Sequence, residues 1–181
     1  MNRPRILIAG IGNIFLGDDA FGVEVVQRLA QRAVPDEVRV VDFGIRGLDL
    51  TYALLDGYET VILVDAVPRG GAPGTLYVLE PTRGENLPAS IATHGMDPVQ
   101  VLRLAEAMGG KIEQLLLVGC EPTPVDDYEE MQPGLSVPVR AAVEEAIPLL
   151  ELLIARLLRG EPIGSGSDPI IPEREVPTCR E

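Results

Sequence analysis

The stretch Ile6 to Gly22, ILIAGIGNIFLGDDAFG, constrains this chain more than any other. Ile6-Leu7-Ile8-Ala9 is a short apolar run closed by Gly10-Ile11-Gly12, the pattern of a buried strand leaving a sheet. Asn13 to Gly17 reads as a loop. Asp18-Asp19 stand where a helix begins, and two carboxylates suit the positive end of a helix dipole. Phe21, Val25, Val26, Leu29 and Ala33 then recur at helical spacing, so the unit is strand–loop–helix. Gly10-x-Gly12 after a first strand invites a dinucleotide reading, with Asp42 placed for a ribose. That reading needs a third glycine where the chain has Phe15, and it sets a pyrophosphate against Asp18 and Asp19. The acidic pair points to a cation instead.

The rest of the chain alternates in the same way. Glu37 to Phe43 reads as a second strand, Leu48 to Asp56 as a short helix, and Thr60 to Ala66 as a third strand ending in an acid, Asp65. This βαβαβ order predicts a parallel sheet with right-handed crossovers. Val-Pro-Arg-Gly-Gly-Ala-Pro-Gly, between Ala66 and Thr75, is too short and too rich in helix breakers for a crossover helix. Thr75 to Leu79 is therefore expected to run antiparallel at an edge. A loop from Glu80 to Thr93 follows. Asp97-Pro98 reads as an N-cap and first helical residue of a helix from Pro98 to Met108.

Gln114 to Gly119 is the last strand, before Cys120-Glu121-Pro122. An acidic loop holding Asp126, Asp127, Glu129 and Glu130 leads to a helix from Pro138 to Leu158, kinked at Pro148. Residues 1–159 are expected to form a single α/β domain, and 160–181, rich in glycine, proline and charge, a flexible tail.

A net charge of −13 disfavours nucleic acid and anionic membranes as partners. No apolar run reaches the roughly 18 residues of a membrane span. There is no signal-peptide pattern, and two cysteines, Cys120 and Cys179, make no disulfide framework, so a reducing cytoplasmic setting is expected.

Ligands of open α/β sheets sit outside the carboxyl ends of the strands, at the switch in strand order. If the first three strands lie in the order 2-1-3, Asp18/Asp19 and Asp65 meet at one edge. His94 is the only histidine, in a loop that reaches toward the same rim. Carboxylate oxygens with one imidazole nitrogen make a mixed site for a divalent metal such as nickel or zinc, with open positions. A thiol mechanism with Cys120 as nucleophile and His94 as base has no local pattern behind it. Ser136 lacks the G-x-S-x-G setting of a serine nucleophile.

GIGNIFLGDDAFGVEVV, Val64-Asp65-Ala66, the histidine of THGMDPVQVL, and GCEP followed by GLS together resemble the hydrogenase maturation proteases, in order and spacing from about Ile6 to Leu158. The resemblance implies a three-layer α/β/α fold of the phosphorylase/hydrolase-like kind, with a mixed five-stranded sheet ordered 2-1-3-5-4 and strand four antiparallel. It implies a monomeric cytoplasmic endopeptidase that removes the C-terminal extension of a [NiFe]-hydrogenase large-subunit precursor once nickel is inserted. The metal-contacting and catalytic positions fall on Asp19, Asp65 and His94, with Asp18 as a fourth neighbour. In this reading the nickel is the substrate's own, and the free enzyme is expected to retain little of it.

Three positions depart from the family pattern. Asp19 stands where glutamate is frequent, Asp42-Phe43-Gly44-Ile45-Arg46-Gly47 replaces D-G-G-T-x-G, and Gly95 follows His94 in place of glutamine. They suggest a subgroup with its own substrate. The competing reading from another class is a non-catalytic nickel chaperone using the same three residues.

Overall fold

A computed structural model describes residues 4–81, 98–124 and 133–163. Five strands form one sheet: β1 Ile6–Ile11, β2 Val38–Gly44, β3 Thr60–Ala66, β4 Leu76–Leu79 and β5 Gln114–Cys120. Their order is β2-β1-β3-β5-β4, parallel throughout except for β4 against β5. The short Gly/Pro link after β3 has the consequence its length dictates: β4 returns antiparallel, with Leu76 opposite Cys120 and Leu79 opposite Leu117.

Among the described residues, four α-helices cover the two faces: α1 Phe21–Leu29, α2 Gly47–Leu54, α3 Pro98–Ala107 and α4 Val137–Leu158. The twofold alternation of β1 splits the core between them. Ile6 and Ile8 face α1 and α4, packing with Phe21, Leu29, Ile147 and Leu150. Leu7, Ala9 and Ile11 face α2 and α3, packing with Leu50, Leu54, Val101 and Ala105. Every residue of β1 and β3 is buried, as expected of parallel strands covered on both sides.

Two glycines of the opening motif set how closely α1 lies on the sheet. A Cβ on Gly22 would stand 2.0 Å from the Val64 carbonyl oxygen and 2.3 Å from that of Ile11. One on Gly10 would stand 2.3 Å from a Val26 methyl. The helix therefore rests directly on β1 and β3, and the 3-10 turn Gly17–Ala20 that precedes it is seated at their carboxyl ends. Gly12 adopts φ +136°, and a side chain there would run into the Asp19 carbonyl at 1.8 Å.

The elements differ from the sequence reading mainly at their ends. Asp18-Asp19 lie in the 3-10 turn, not in the first turn of α1, and α1 closes at Leu29, leaving Ala33 exposed outside it. α2 spans Gly47–Leu54, starting one residue and ending two residues earlier than expected. α4 runs through Pro148 over 22 residues, the ring on its exposed face. The expected tail starts as part of the fold: Ile163 is buried in the α1/α4 core, and Arg156 donates to the Pro162 carbonyl. The loop over Glu80 to Thr93 is described only as far as Pro81. Asp97, the acidic loop 125–132 and residues 164–181 with Cys179 lie outside the described residues. No helix among those described is long and apolar enough to cross a membrane.

Candidate active site

Asp19 and Asp65 reach one edge of the sheet from two separate parts of the chain. Asp19 belongs to the 3-10 turn that packs on β3, and Asp65 is the penultimate residue of β3 itself. Both are buried, at 4 % and 2 % exposure. The Asn13 amide donates to Asp19 Oδ2 at 2.7 Å, and the Ala66 amide donates to Asp65 Oδ1 at 2.8 Å. Among the described residues, neither carboxylate has a hydrogen bond to its other oxygen. Each side chain is thus held by one backbone donor among the described residues.

Electrostatics places the two acids as neighbours. Burial raises the pKa of Asp65 well above the ordinary aspartate value, the negative charge of Asp19 raises it further, and the Ala66 amide offsets only part. Burial raises Asp19 as well, against the Asn13 hydrogen bond. A buried pair of acids without a cation is electrostatically costly, and a cation between them would relieve both. Two hard oxygen donors fit part of the shell of a first-row divalent ion. No cluster of three or more metal-binding side chains occurs among the described residues. His94, the third member of the sequence-derived set, lies outside them, as does Gly95.

Asp18 does different work from its neighbour. Its carboxylate accepts the Ser136 amide at 2.7 Å, the Ser136 hydroxyl at 2.8 Å and the Thr123 amide at 2.9 Å. Both oxygens are engaged, so Asp18 is a tie between the opening motif and the segments after β5 and before α4. As a fourth metal neighbour, it has no oxygen left uncommitted. Adjacent acids in a sequence look alike; the partners of Asp18, 105 and 118 residues away, set it apart from Asp19, whose partner Asn13 is six residues away.

Glu121, which sequence reading passed over, is a second buried anchor. Its carboxylate accepts the amides of Arg69 and Gly70 and the Tyr77 hydroxyl, the last at 2.8 Å. Burial pushes its pKa up, but the Tyr77 hydroxyl and the amides of Arg69, Gly70 and Gly71 outweigh that and hold it below the usual value. It thereby fixes the loop that leaves β3 just after Asp65. The available signal was an acid directly following a buried strand, with a Gly-Gly loop elsewhere to wrap it. Cys120 is fully buried, and burial, with the nearby charges of Asp18, Glu121 and Glu145, pushes its thiol up to about 12. It is a core side chain and not a nucleophile.

The family model for hydrogenase maturation protease matches residues 23–152, across most of this fold and through Asp65. The chain belongs to the hydrogenase maturation protease family. Asp19 lies just ahead of the matched range. The chain is similar to the hydrogenase expression/formation protein HoxM of Azotobacter vinelandii, 37 % identical over 163 residues, 86 % of this chain and 75 % of that one. It is also similar to the hydrogenase 2 maturation protease of Escherichia coli, 32 % identical over 151 residues, 81 % and 90 % of the two chains. The solved structure of the hydrogenase maturating endopeptidase HybD from E. coli superposes with a TM-score of 0.66 at 31 % identity, covering 86 % of this chain and 94 % of that one. This maturation protease is a peptidase, and its 2-1-3-5-4 sheet is the fold of those enzymes.

Proposed function

We propose that this enzyme removes the C-terminal extension of a [NiFe]-hydrogenase large-subunit precursor after nickel insertion. In this reading Asp19, Asp65 and His94 meet the nickel that the precursor carries. The observation that supports it best is the pair of buried carboxylates, Asp19 and Asp65, brought to one edge of the sheet and each aimed by a backbone amide. Their raised pKa values describe a site that favours an arriving cation. The nickel belongs to the substrate in this reading, and a mixed set of two carboxylates and one imidazole with open positions should bind free metal only modestly.

The side chains then have distinct tasks. The Asn13 and Ala66 amides aim the two carboxylates, so the peptide bond beside the metal is held in one place. Asp65 retains its proton to higher pH than an exposed aspartate, and would give it up as the metal takes the oxygen that the Ala66 amide does not hold. A metal at this edge supplies polarisation of the scissile carbonyl or of a water. The enzyme acts in this reading as a cytoplasmic monomer.

The test is mass spectrometry of a nickel-loaded large subunit before and after incubation with the enzyme. Loss of the C-terminal peptide is expected, and it should vanish with Asp65→Asn or His94→Ala. Equal cleavage of a nickel-free precursor would remove the metal as the recognition element. Tight nickel binding with no change in precursor mass would make the protein a carrier.

A further inference from the structure

We infer that five exposed apolar side chains beside Asp19 dock an apolar segment of the substrate polypeptide next to the scissile bond. Phe15 is 66 % exposed, Leu48 58 %, Tyr52 55 %, Ile45 53 % and Ile14 48 %. They fall on two neighbouring loops and one helix face. Ile14 and Phe15 leave the carboxyl end of β1, and Ile45 leaves that of β2, the strand paired with it. The Gly12 amide donates to the Gly44 carbonyl at 3.1 Å and joins the two loops at their bases. Ile45, Leu48 and Tyr52 follow at spacings of three and four, which puts them in one stripe leading onto and along α2.

The exposure is built in. The Phe15 amide donates to Asn13 Oδ1 at 3.0 Å and the Leu16 amide to the Asn13 carbonyl at 3.0 Å, closing a tight turn that displays Ile14 and Phe15. On the second loop, Arg46 donates to the carbonyls of Asp42 and Phe43 and fixes the approach to α2. Large apolar side chains held outward by hydrogen-bonded turns mark an interaction surface.

What covers this surface follows from its position and from charge. The Asn13 amide that holds Asp19 begins the turn bearing Phe15, so the apolar rim is continuous with the carboxylate edge. A peptide chain brought to Asp19 and Asp65 has to cross or border it. A second copy of this chain would bring another −13 charges, and an anionic membrane would repel the first. A heterologous polypeptide with an apolar, non-acidic segment suits both the side chains and the field.

This inference rests on the reading that the enzyme cleaves the precursor, and the experiment separates the two. A Phe15→Ser/Leu48→Ser double variant and a Leu152→Ser control, an apolar residue 50 % exposed on α4, are compared with the wild type on nickel-loaded precursor. Losing two buried contacts of this size should raise KM at least about tenfold, with much less effect on kcat and on thermal stability. Leu152→Ser should leave KM as it was. The same loss should appear as weaker precursor binding when the serines are added to an Asp65→Asn enzyme. Wild-type cleavage with an unchanged KM in the double variant overturns the docking surface alone. A wild type that neither binds nor cuts the precursor overturns the cleavage reading and this inference together. A dimer that the double variant splits, with KM unchanged, reassigns the rim to self-association and also overturns it.

Discussion

Asp18 and Ser136 are 118 residues apart in sequence, yet the Asp18 carboxylate accepts both the amide and the hydroxyl of Ser136, at 2.7 and 2.8 Å. Thr123 completes the tie through its amide at 2.9 Å, and its own hydroxyl is bonded to that of Ser136. Replacing Asp18 by alanine leaves these donors facing a gap. Hydrogen bonds to a charged acceptor contribute roughly 1.5–3 kcal/mol each, less than additively, so a total loss of about 3 kcal/mol is expected. In a protein of this size that is a fall in Tm of roughly 6–12 °C. Ser136→Ala, which keeps the amide, should cost only about 1 kcal/mol. Thermal melts of both variants check the ordering; an Asp18→Ala protein as stable as the wild type would show that the tie is not formed.

Asp65 works in the opposite sense: it destabilises the fold it belongs to. Its folded pKa is raised, so the native state binds a proton that the unfolded chain has released. Stability is then fully present below the unfolded pKa of about 4 and declines as pH rises toward the folded value. Asp65→Asn keeps an acceptor for the Ala66 amide and removes the charge. Its melting temperature at neutral pH should exceed that of the wild type by a few degrees, and the gap should close as pH falls toward 4. The same variant should cut no precursor. Melts from pH 4 to 8 decide this, and a variant less stable than the wild type at pH 7 would contradict the assignment.

These two acids mark the boundary of what the sequence discloses. β3 is legible residue for residue, because an unbroken apolar run ending in an acid has few other ways to be buried. The antiparallel course of β4 follows from a link too short to cross over. The meeting of Asp19 with Asp65 follows from strand order alone. The division of labour between Asp18 and Asp19 does not, because it depends on donors delivered by Thr123 and Ser136, 105 and 118 residues away in sequence. Glu121 carries only a weak signal, an acid directly after a buried strand, because its donors come from the loop after β3 and from Tyr77 of β4. Ala33 misled because an alanine satisfies a helical period whether or not the helix continues.

Cys120 gives a direct test against thiol chemistry. Its thiolate forms only near pH 12, and the sulfur has no access to solvent. Cys120→Ala should keep its kcat within about twofold, while the small cavity left in the α4-side core costs about 1 kcal/mol. Treatment of the folded wild type with iodoacetamide at neutral pH should leave cleavage intact. Loss of activity in step with modification of residue 120, followed by mass spectrometry, would restore the nucleophile reading.

Glu121 should set the acid limit of stability. The hydroxyl of Tyr77 and the amides around its carboxylate favour the charged form more than burial disfavours it, so its folded pKa is below the ordinary glutamate value. The sign is the reverse of Asp65. Here the stabilisation is present above the unfolded pKa of about 4.3 and is lost as pH falls through the folded one. Glu121→Gln turns one acceptor oxygen into an NH2 that faces donors, leaving at least one of them unsatisfied. A loss of roughly 2–4 kcal/mol at pH 7 is expected, with a much shallower fall in stability on acidification. Tyr77→Phe removes only the hydroxyl bond and should lose about half as much. The loop fixed by Glu121 leaves β3 directly after Asp65, so the glutamine variant should also lose kcat at temperatures where it is still folded. Cleavage at the wild-type rate by a folded Glu121→Gln enzyme would confine this carboxylate to stability alone.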